Sequence, residues 1–226
     1  MNKLSNILKK GDAITSLIRK KENGYILVTV LFFCVGFVMH IIPGFREGAI
    51  SITEGFLFLI NIFVVGVCLI RFFSYRLLMI SFLILLFTFL IEVIGIKTGK
   101  IFGYYHYGNV FSITLFDVPL VIGFNWLMLI MSANSLVRHW VKREYLILFC
   151  VAILVMFFDL LLEPVSIKLG YWTWENNAIP GQNYLAWFFI AFFFSFPLRY
   201  FTLDSRLLQS YIIIQFLYFA GLSLLL

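Results

Sequence analysis

The sequence predicts an all-α, polytopic integral membrane bundle of seven helices. Three observations carry this expectation. The chain of 226 residues is 62% hydrophobic and 12% charged, about half the charged content of a soluble domain. Its apolar residues fall into seven runs of spanning length. Its Lys and Arg residues gather on alternate connections between those runs, the pattern that orients a membrane protein.

Residues 1–23, MNKLSNILKKGDAITSLIRKKEN, are polar and basic and are expected to form a cytoplasmic amino-terminal segment. Leu4, Ile7 and Leu8 have the spacing of a short amphipathic helix lying on an anionic membrane surface. The short apolar core and small-residue cleavage site of a signal peptide are not evident. Residues 24–226 are expected to form a single transmembrane domain, because no linker divides them. The spans are placed at about residues 24–42, 49–70, 77–96, 118–137, 145–165, 184–201 and 208–225. They are read as helices because a bilayer offers no water to unpaired backbone groups, and the runs are too long and continuous for barrel strands.

With the amino terminus cytoplasmic, that side holds Lys3, Lys9, Lys10, Arg19, Lys20, Lys21, Arg71, Arg76, Arg138, Lys142, Arg143, Arg199 and Arg206. The other side holds Arg46, Lys97, Lys100 and Lys168. Thirteen of the 17 basic residues against four favours amino terminus in and carboxyl terminus out, as expected for a multi-pass protein of the inner, or cytoplasmic, membrane. The net charge of +6 is therefore read as orientation and not as a nucleic-acid surface, since no aromatic-interleaved basic patch exists. Cys34, Cys68 and Cys150 lie inside apolar runs without CxxC spacing and are read as buried small side chains.

This orientation places two long Gly-, Tyr- and Trp-rich loops, at about residues 97–117 and 166–182, on the non-cytoplasmic face. The cytoplasmic connections RFFSYR, RHWVKRE and TLDSR are short turns and anchors. Four acidic residues add to the asymmetry: Glu54 early in span two, Glu92 near the end of span three, and Asp159 with Glu163 near the end of span five. All four fall in the non-cytoplasmic half of their helices, where an ionisable group turns toward the protein interior or a wet cavity. Glu92 precedes Lys97 by five residues and so lies roughly 7 Å deeper. Asp159 and Glu163, four apart, share a helix face. An internal polar site on the outer side is the reading that unites them.

His40 ends span one and reads as an interfacial or capping residue, His106 lies in the Gly- and Tyr-rich loop, and His139 is a cytoplasmic flank. These three histidines form no zinc motif and no cluster of the kind a di-iron oxygenase needs. No P-loop, dinucleotide fingerprint or nucleophile elbow is present. The expected chemistry uses carboxyls, aromatics and water, with no metal and no cofactor.

Several motifs now come together: EVIGIKTGKIFGYYHY from Glu92 to Tyr107, VPLVIGFNW from Val118 to Trp126, DLLLEP from Asp159 to Pro164, GYWTW from Gly170 to Trp174, and IPGQNYLAW from Ile179 to Trp187. In this order and spacing the chain resembles the membrane carotenoid hydratase family, the group of bisanhydrobacterioruberin and gamma-carotene 1'-hydroxylating hydratases. The motifs cover about residues 92–187, and the apolar framework extends the likeness over most of the chain. The resemblance implies addition of water to the terminal carbon–carbon double bond of an acyclic carotenoid end group, giving a tertiary alcohol. It implies as partners an acyclic-ended carotenoid, water, membrane lipid and neighbouring carotenoid biosynthesis enzymes. Asp117, before Val118 and Pro119, departs from the family pattern, which more often has a small residue or a different acid there.

Such a reaction needs a strong acid near the alkene. Protonation forms the cation at the more substituted carbon, and water attack there gives the tertiary alcohol. A buried carboxyl suits the acid, and a second one suits the holding of water. Asp159 and Glu92 are the favoured pair, with the two roles unassigned between them, and Glu163 is the third candidate. Tyr105, Tyr107, Trp172 and Trp174 are candidates to line the end-group pocket and meet developing cation density with their ring faces. Glu54, His106 and Trp126 are further candidate pocket residues, and Asn125 and Asn183 are candidates to position water. A carotenoid approaches the roughly 30 Å thickness of the hydrocarbon core, so it fits along the helices. An end-group cyclase that excludes water, and a lipid or isoprenoid transport or binding protein, are the alternatives.

Overall fold

The computed structural model describes the helical backbone from Asn2 and the side chains of residues 20–226. The proposed amphipathic face of Leu4, Ile7 and Leu8 lies outside the described side chains. Seven α-helices follow one another: α1 (Asn2–Ile41), α2 (Pro43–Arg71), α3 (Tyr75–Thr98), α4 (Val121–Trp140), α5 (Glu144–Lys168), α6 (Gly181–Ser195) and α7 (Arg206–Leu225). Between α3 and α4 lie three short strands, β1 (Tyr105–Tyr107), β2 (Thr114–Leu115) and β3 (Val118–Pro119), and between α5 and α6 lies β4 (Trp172–Trp174).

Local chemistry explains where the helices start and stop. Pro43 opens α2, where its missing N–H is no loss and its φ is already helical. This brings the start of α2 several residues ahead of the expected residue 49. Ser74 caps α3 by accepting from Leu77 N at 3.1 Å, and Gly99 ends it in the left-handed region at φ 64°. Helix α6 is shorter than the expected span over 184–201. It ends at Ser195, and Pro197 helps turn Phe196–Tyr200 into a 3-10 segment by removing a backbone donor. Six helices are therefore long and apolar enough to cross a membrane, among the described residues; α6, at 15 residues, falls short of the seventh expected span.

Helix α4 is the centre of the bundle, packing against α2, α3, α5, α6 and α7. Its span is 78% buried, against 17–39% for the other five, and it is the least apolar of the six. Both facts have one cause. A helix surrounded by protein need not match lipid on its outer face, so Asn125, Ser132, Asn134 and Ser135 are tolerated where neighbouring helices supply contacts. The lipid-facing helices carry Leu, Ile and Phe outward. Cys34 is exposed on α1, contrary to the expected burial of all three cysteines, while Cys68 is buried and Cys150 is half-buried.

At one end of the bundle Glu22 ties three helices together. Its Oε2 pairs with Arg71 at 2.7 Å, and its Oε1 accepts from Ser205 Oγ at 2.9 Å and Leu207 N at 3.0 Å. At the opposite end the two long loops join. Strands β1 and β4 pair antiparallel, matching Tyr105 with Trp174, His106 with Thr173 and Tyr107 with Trp172. Gly108 allows this approach: its N–H donates to Tyr171 O at 2.8 Å, and a Cβ on it would lie 2.0 Å from Gly170 O.

Candidate active site

The β1–β4 ribbon closes the end of the bundle opposite Glu22, and its pleat sorts the side chains. Alternate residues of a strand face opposite ways. Tyr105, Trp172 and Trp174 are buried and Tyr107 half-buried against the helices, while His106 and Thr173 are exposed on the outer face. The structure thus places His106 outside the pocket proposed for it. The same two-residue period that brings in the tyrosines on either side turns the histidine out.

Beneath the ribbon three carboxyls lie buried: Glu92 at 4% exposure, Asp159 at 0% and Glu163 at 2%. Glu92 Oε2 accepts from the Tyr105 hydroxyl at 2.5 Å and the Tyr107 hydroxyl at 3.3 Å, and its Oε1 accepts from Trp126 Nε1 at 2.8 Å. Glu163 Oε2 accepts from Trp172 Nε1 at 3.0 Å and Trp174 Nε1 at 2.8 Å. Each ribbon strand therefore serves one carboxyl: β1 sends two phenols to Glu92 and β4 sends two indoles to Glu163. An indole N–H only donates, so Oε1 of Glu92 and Oε2 of Glu163 are fixed as acceptors. Burial, reinforced by the nearby Glu92 charge, pushes the Tyr105 and Tyr107 phenols well above their usual range, so both remain O–H donors.

Asn183 joins the third carboxyl to the second. Its Nδ2 donates to Asp159 Oδ2 at 2.6 Å and, more distantly, to Glu163 Oε1 at 3.4 Å. Asp159 Oδ1 has no hydrogen-bond partner.

The carboxyls border a cavity of about 290 Å³. Glu92 and Glu163 line it, together with the four ribbon aromatics, Asn125, Trp126 and Asn183; Asp159 does not. This division alters the expected pairing of Asp159 with Glu92, since the wall carries Glu92 and Glu163 with Asp159 behind Asn183. Glu54 also lies elsewhere. Its carboxylate accepts from Ser112 N at 2.9 Å, Ser112 Oγ at 2.7 Å and Ile113 N at 2.9 Å, pinning the loop that follows β1. Asp117, at φ 67°, sits beside Phe116, at φ 54°, in the two-residue turn joining β2 to β3, a turn that requires positive φ at both central positions.

Other cavity residues escaped the sequence reading. Trp187 stacks near Trp126 with ring centroids 4.2 Å apart. Its signal was present at the end of IPGQNYLAW. Gln215, which lines the cavity, and Asn61, which does not but bonds Asn125, were also visible as amides inside apolar spans. Asn61 Nδ2 donates to Asn125 Oδ1, the Tyr211 hydroxyl donates to Asn61 Oδ1 at 3.1 Å, and Gln215 Nε2 donates to the Tyr211 oxygen at 2.5 Å. This chain of hydrogen bonds holds Asn125 at the cavity wall. His40, expected as an interfacial or cap residue, is buried and lines the cavity, with Nδ1 donating to Gly36 O at 2.7 Å. Tyr171, whose phenol burial pushes up to about 12, also lines the cavity, and its signal was its place in GYWTW.

Residues 53–224 match the family of carotenoid biosynthesis proteins. The chain belongs to that family. The match takes in Glu92, Asp159, Glu163, both ribbon strands and Asn183, so the site lies inside the family region. Over 115 residues the chain is 29% identical to the bisanhydrobacterioruberin hydratase of Haloarcula japonica, a stretch that is 45% of this chain and 38% of that protein. The match thus spans about two-fifths of the relative's length. No solved structure matches the chain significantly. Among the described residues, no group of three or more His, Cys, Asp or Glu side chains is placed to hold a metal ion.

Proposed function

We propose that this carotenoid biosynthesis protein is a hydratase that adds water to the terminal double bond of an acyclic carotenoid end group. The supporting observation is the pair of buried carboxyls, Glu92 and Glu163, bordering one aromatic-walled cavity at the end of a membrane bundle. Hydration needs a proton donor and a water-holding base around one alkene. Membership of the carotenoid biosynthesis family and the similarity to a bisanhydrobacterioruberin hydratase supply the substrate class.

The hydrogen bonds support one division of the two roles. Both oxygens of Glu92 accept from fixed donors, so it serves as the base that orients water. Glu163 accepts from two indoles on Oε2 but only from the more distant Asn183 amide, at 3.4 Å, on Oε1, which favours Oε1 as the oxygen that carries a proton. Its O–H adds that proton to the less substituted alkene carbon. The π electrons form the new C–H bond, and positive charge develops on the tertiary carbon beside the ring faces of Tyr105, Trp172 and Trp174. Water adds there as Glu92 takes one of its protons, giving the tertiary alcohol. The proton gained by Glu92 balances the one lost by Glu163, and proton return to Glu163 resets the site. Asp159 acts through Asn183 as a positioning residue.

The orientation belongs to the same reading. Helix α6 and the following 3-10 segment together cover Gly181–Tyr200, about 30 Å by helical rise, so they form the seventh span. The amino terminus is then cytoplasmic, and the ribbon faces the other side of the inner membrane.

The test is anaerobic incubation of the purified protein with an acyclic-ended carotenoid in oxygen-labelled water, with products identified by mass spectrometry. The expected product gains one water, carries the label in its hydroxyl and, in deuterated water, carries deuterium on the adjacent carbon. A hydroxyl oxygen drawn from molecular oxygen overturns the hydratase reading. A ring-containing product of unchanged mass supports cyclisation instead, and carotenoid movement between vesicles without product supports transport.

A further inference from the structure

The cavity wall is not of even thickness. Of the residues that line it, all are buried or half-buried except three: Phe32, Val35 and Ile52, which are 47%, 58% and 57% exposed. Phe32 and Val35 lie three apart on α1, one above the other on the same face, and Ile52 lies on the neighbouring α2. At this seam one layer of side chains faces the cavity on one side and the lipid on the other. Elsewhere the lining consists of buried or half-buried residues of the seven helices, the ribbon and the loops beside it.

The depth of the seam suits an apolar ligand. Val35 is six residues before the end of α1 and Ile52 nine after the start of α2, so they lie roughly 9 Å and 14 Å below the α1–α2 turn by helical rise. That is within the hydrocarbon region and away from water. The seam is wholly apolar: Phe32 and Phe33 approach Phe56 with ring centroids 6.1 and 5.5 Å apart. The two carboxyls that line the cavity, Glu92 and Glu163, lie under the ribbon side chains that bond them.

Volume makes an opening necessary for a long substrate. The cavity of about 290 Å³ is at the lower limit of pockets that enclose a drug-sized molecule, ~300 Å³. A chain long enough to approach the ~30 Å hydrocarbon thickness cannot be enclosed. Only an end group fits inside, and the remaining chain must leave through the wall.

We propose that the α1–α2 seam at Phe32, Val35 and Ile52 is a lateral mouth through which a long polyene or polyisoprenoid chain inserts its end group from the lipid, its remaining length staying outside between these two helices. The identity of the chain rests on the hydratase reading; the mouth rests on the cavity and its thin wall. In consequence α1 and the start of α2 select for the body of the substrate, while the ribbon and carboxyls select for its end.

The test narrows the mouth with Val35→Trp and with Ile52→Trp, using Val38→Trp, on an exposed α1 position that does not line the cavity, as the control. Full-length protein in lipid nanodiscs is titrated with an acyclic-ended carotenoid, with binding read from the shift of the polyene absorption band. Turnover is measured on the same carotenoid and on a short isoprenoid bearing the same terminal alkene. The expected result is at least about a tenfold loss of carotenoid binding and kcat/KM in both mouth variants, the scale on which pocket sterics discriminate. The short isoprenoid stays within about twofold of wild type, and the control changes neither.

Unchanged carotenoid binding in both mouth variants, equal losses on the long and short substrates, or no carotenoid binding by the wild type each overturns the mouth. Carotenoid binding that depends on Val35 and Ile52 without any hydrated product leaves the mouth standing and removes the hydratase reading. Hydration that is indifferent to both substitutions does the reverse.

Discussion

The Tyr105 hydroxyl donates to Glu92 Oε2 at 2.5 Å, so the loop leaving α3 folds back to hold the carboxyl at that helix's end. Tyr107 adds a second donor from the same strand and Trp126 a third from α4. A buried carboxyl with three donors is a positioned group. The glycine- and tyrosine-rich loop is the device that positions it.

Glu92→Gln and Glu163→Gln should each lower turnover by at least about 100-fold, within the usual contribution of general acid–base catalysis. Both substitutions preserve shape and keep one carbonyl oxygen as acceptor, so folded protein recovered from the membrane should stay near wild-type levels. Asp159→Asn should lower turnover less than Glu163→Gln, because Asp159 meets the site through Asn183 and does not border the cavity. Single-turnover rates on detergent-solubilised protein compare the three. Near-normal rates in Glu163→Gln would reject its role as the acid.

Gly108→Ala should unzip the ribbon. The new Cβ would lie 2.0 Å from the backbone oxygen of Gly170, and a backbone atom cannot swing aside as a side chain can. Gly170→Ala has open space around it but a φ of +71°, so it should cost only about 1–2 kcal/mol. Thermal unfolding in detergent should show the larger loss for Gly108→Ala, accompanied by loss of activity. A milder effect at Gly108 than at Gly170 would contradict the close pairing of the two loops.

Glu22→Ala should destabilise the protein without altering catalysis by the molecules that remain folded. It removes the partner of Arg71 and the acceptor for Ser205 and Leu207, and breaking a buried pair costs about 3–5 kcal/mol. The thermal midpoint should fall while turnover per folded molecule holds. Loss of turnover at full stability would place Glu22 in a role the structure does not suggest.

Topology can be read from the outer face of the ribbon. His106 and Thr173 are exposed and pair with each other across the ribbon, so His106→Cys and Thr173→Cys should leave the fold intact. An impermeant thiol reagent should label both in intact cells from the non-cytoplasmic side. Labelling that requires access to the cytoplasm would reverse the orientation.

The sequence by itself determined the helical membrane class, most of the spans and the clustering of Glu92, Asp159 and Glu163 toward one end of the bundle. These are written in runs of apolar residues, in basic flanks and in the rarity of carboxyls at membrane depth, all local or one-dimensional signals. It also pointed to the aromatic loops, since Tyr105, Tyr107, Trp172 and Trp174 stand out in short motifs. Only the tertiary structure decided how these parts meet. Pairing β1 with β4 brings together residues more than sixty positions apart, and the pleat then admits Tyr105 and Tyr107 while excluding His106. Glu54 and Glu92 look alike in the sequence, each a carboxyl near the loop-bearing end of a span. Glu54 holds the backbone of a loop, and Glu92 borders a cavity. Asp159 and Glu163 share a helix face, but which of them reaches the cavity depends on Asn183, Trp172 and Trp174 from segments that follow them in the chain. Depth in the membrane is encoded along the chain, whereas the partner of a buried polar group is set by packing between distant segments.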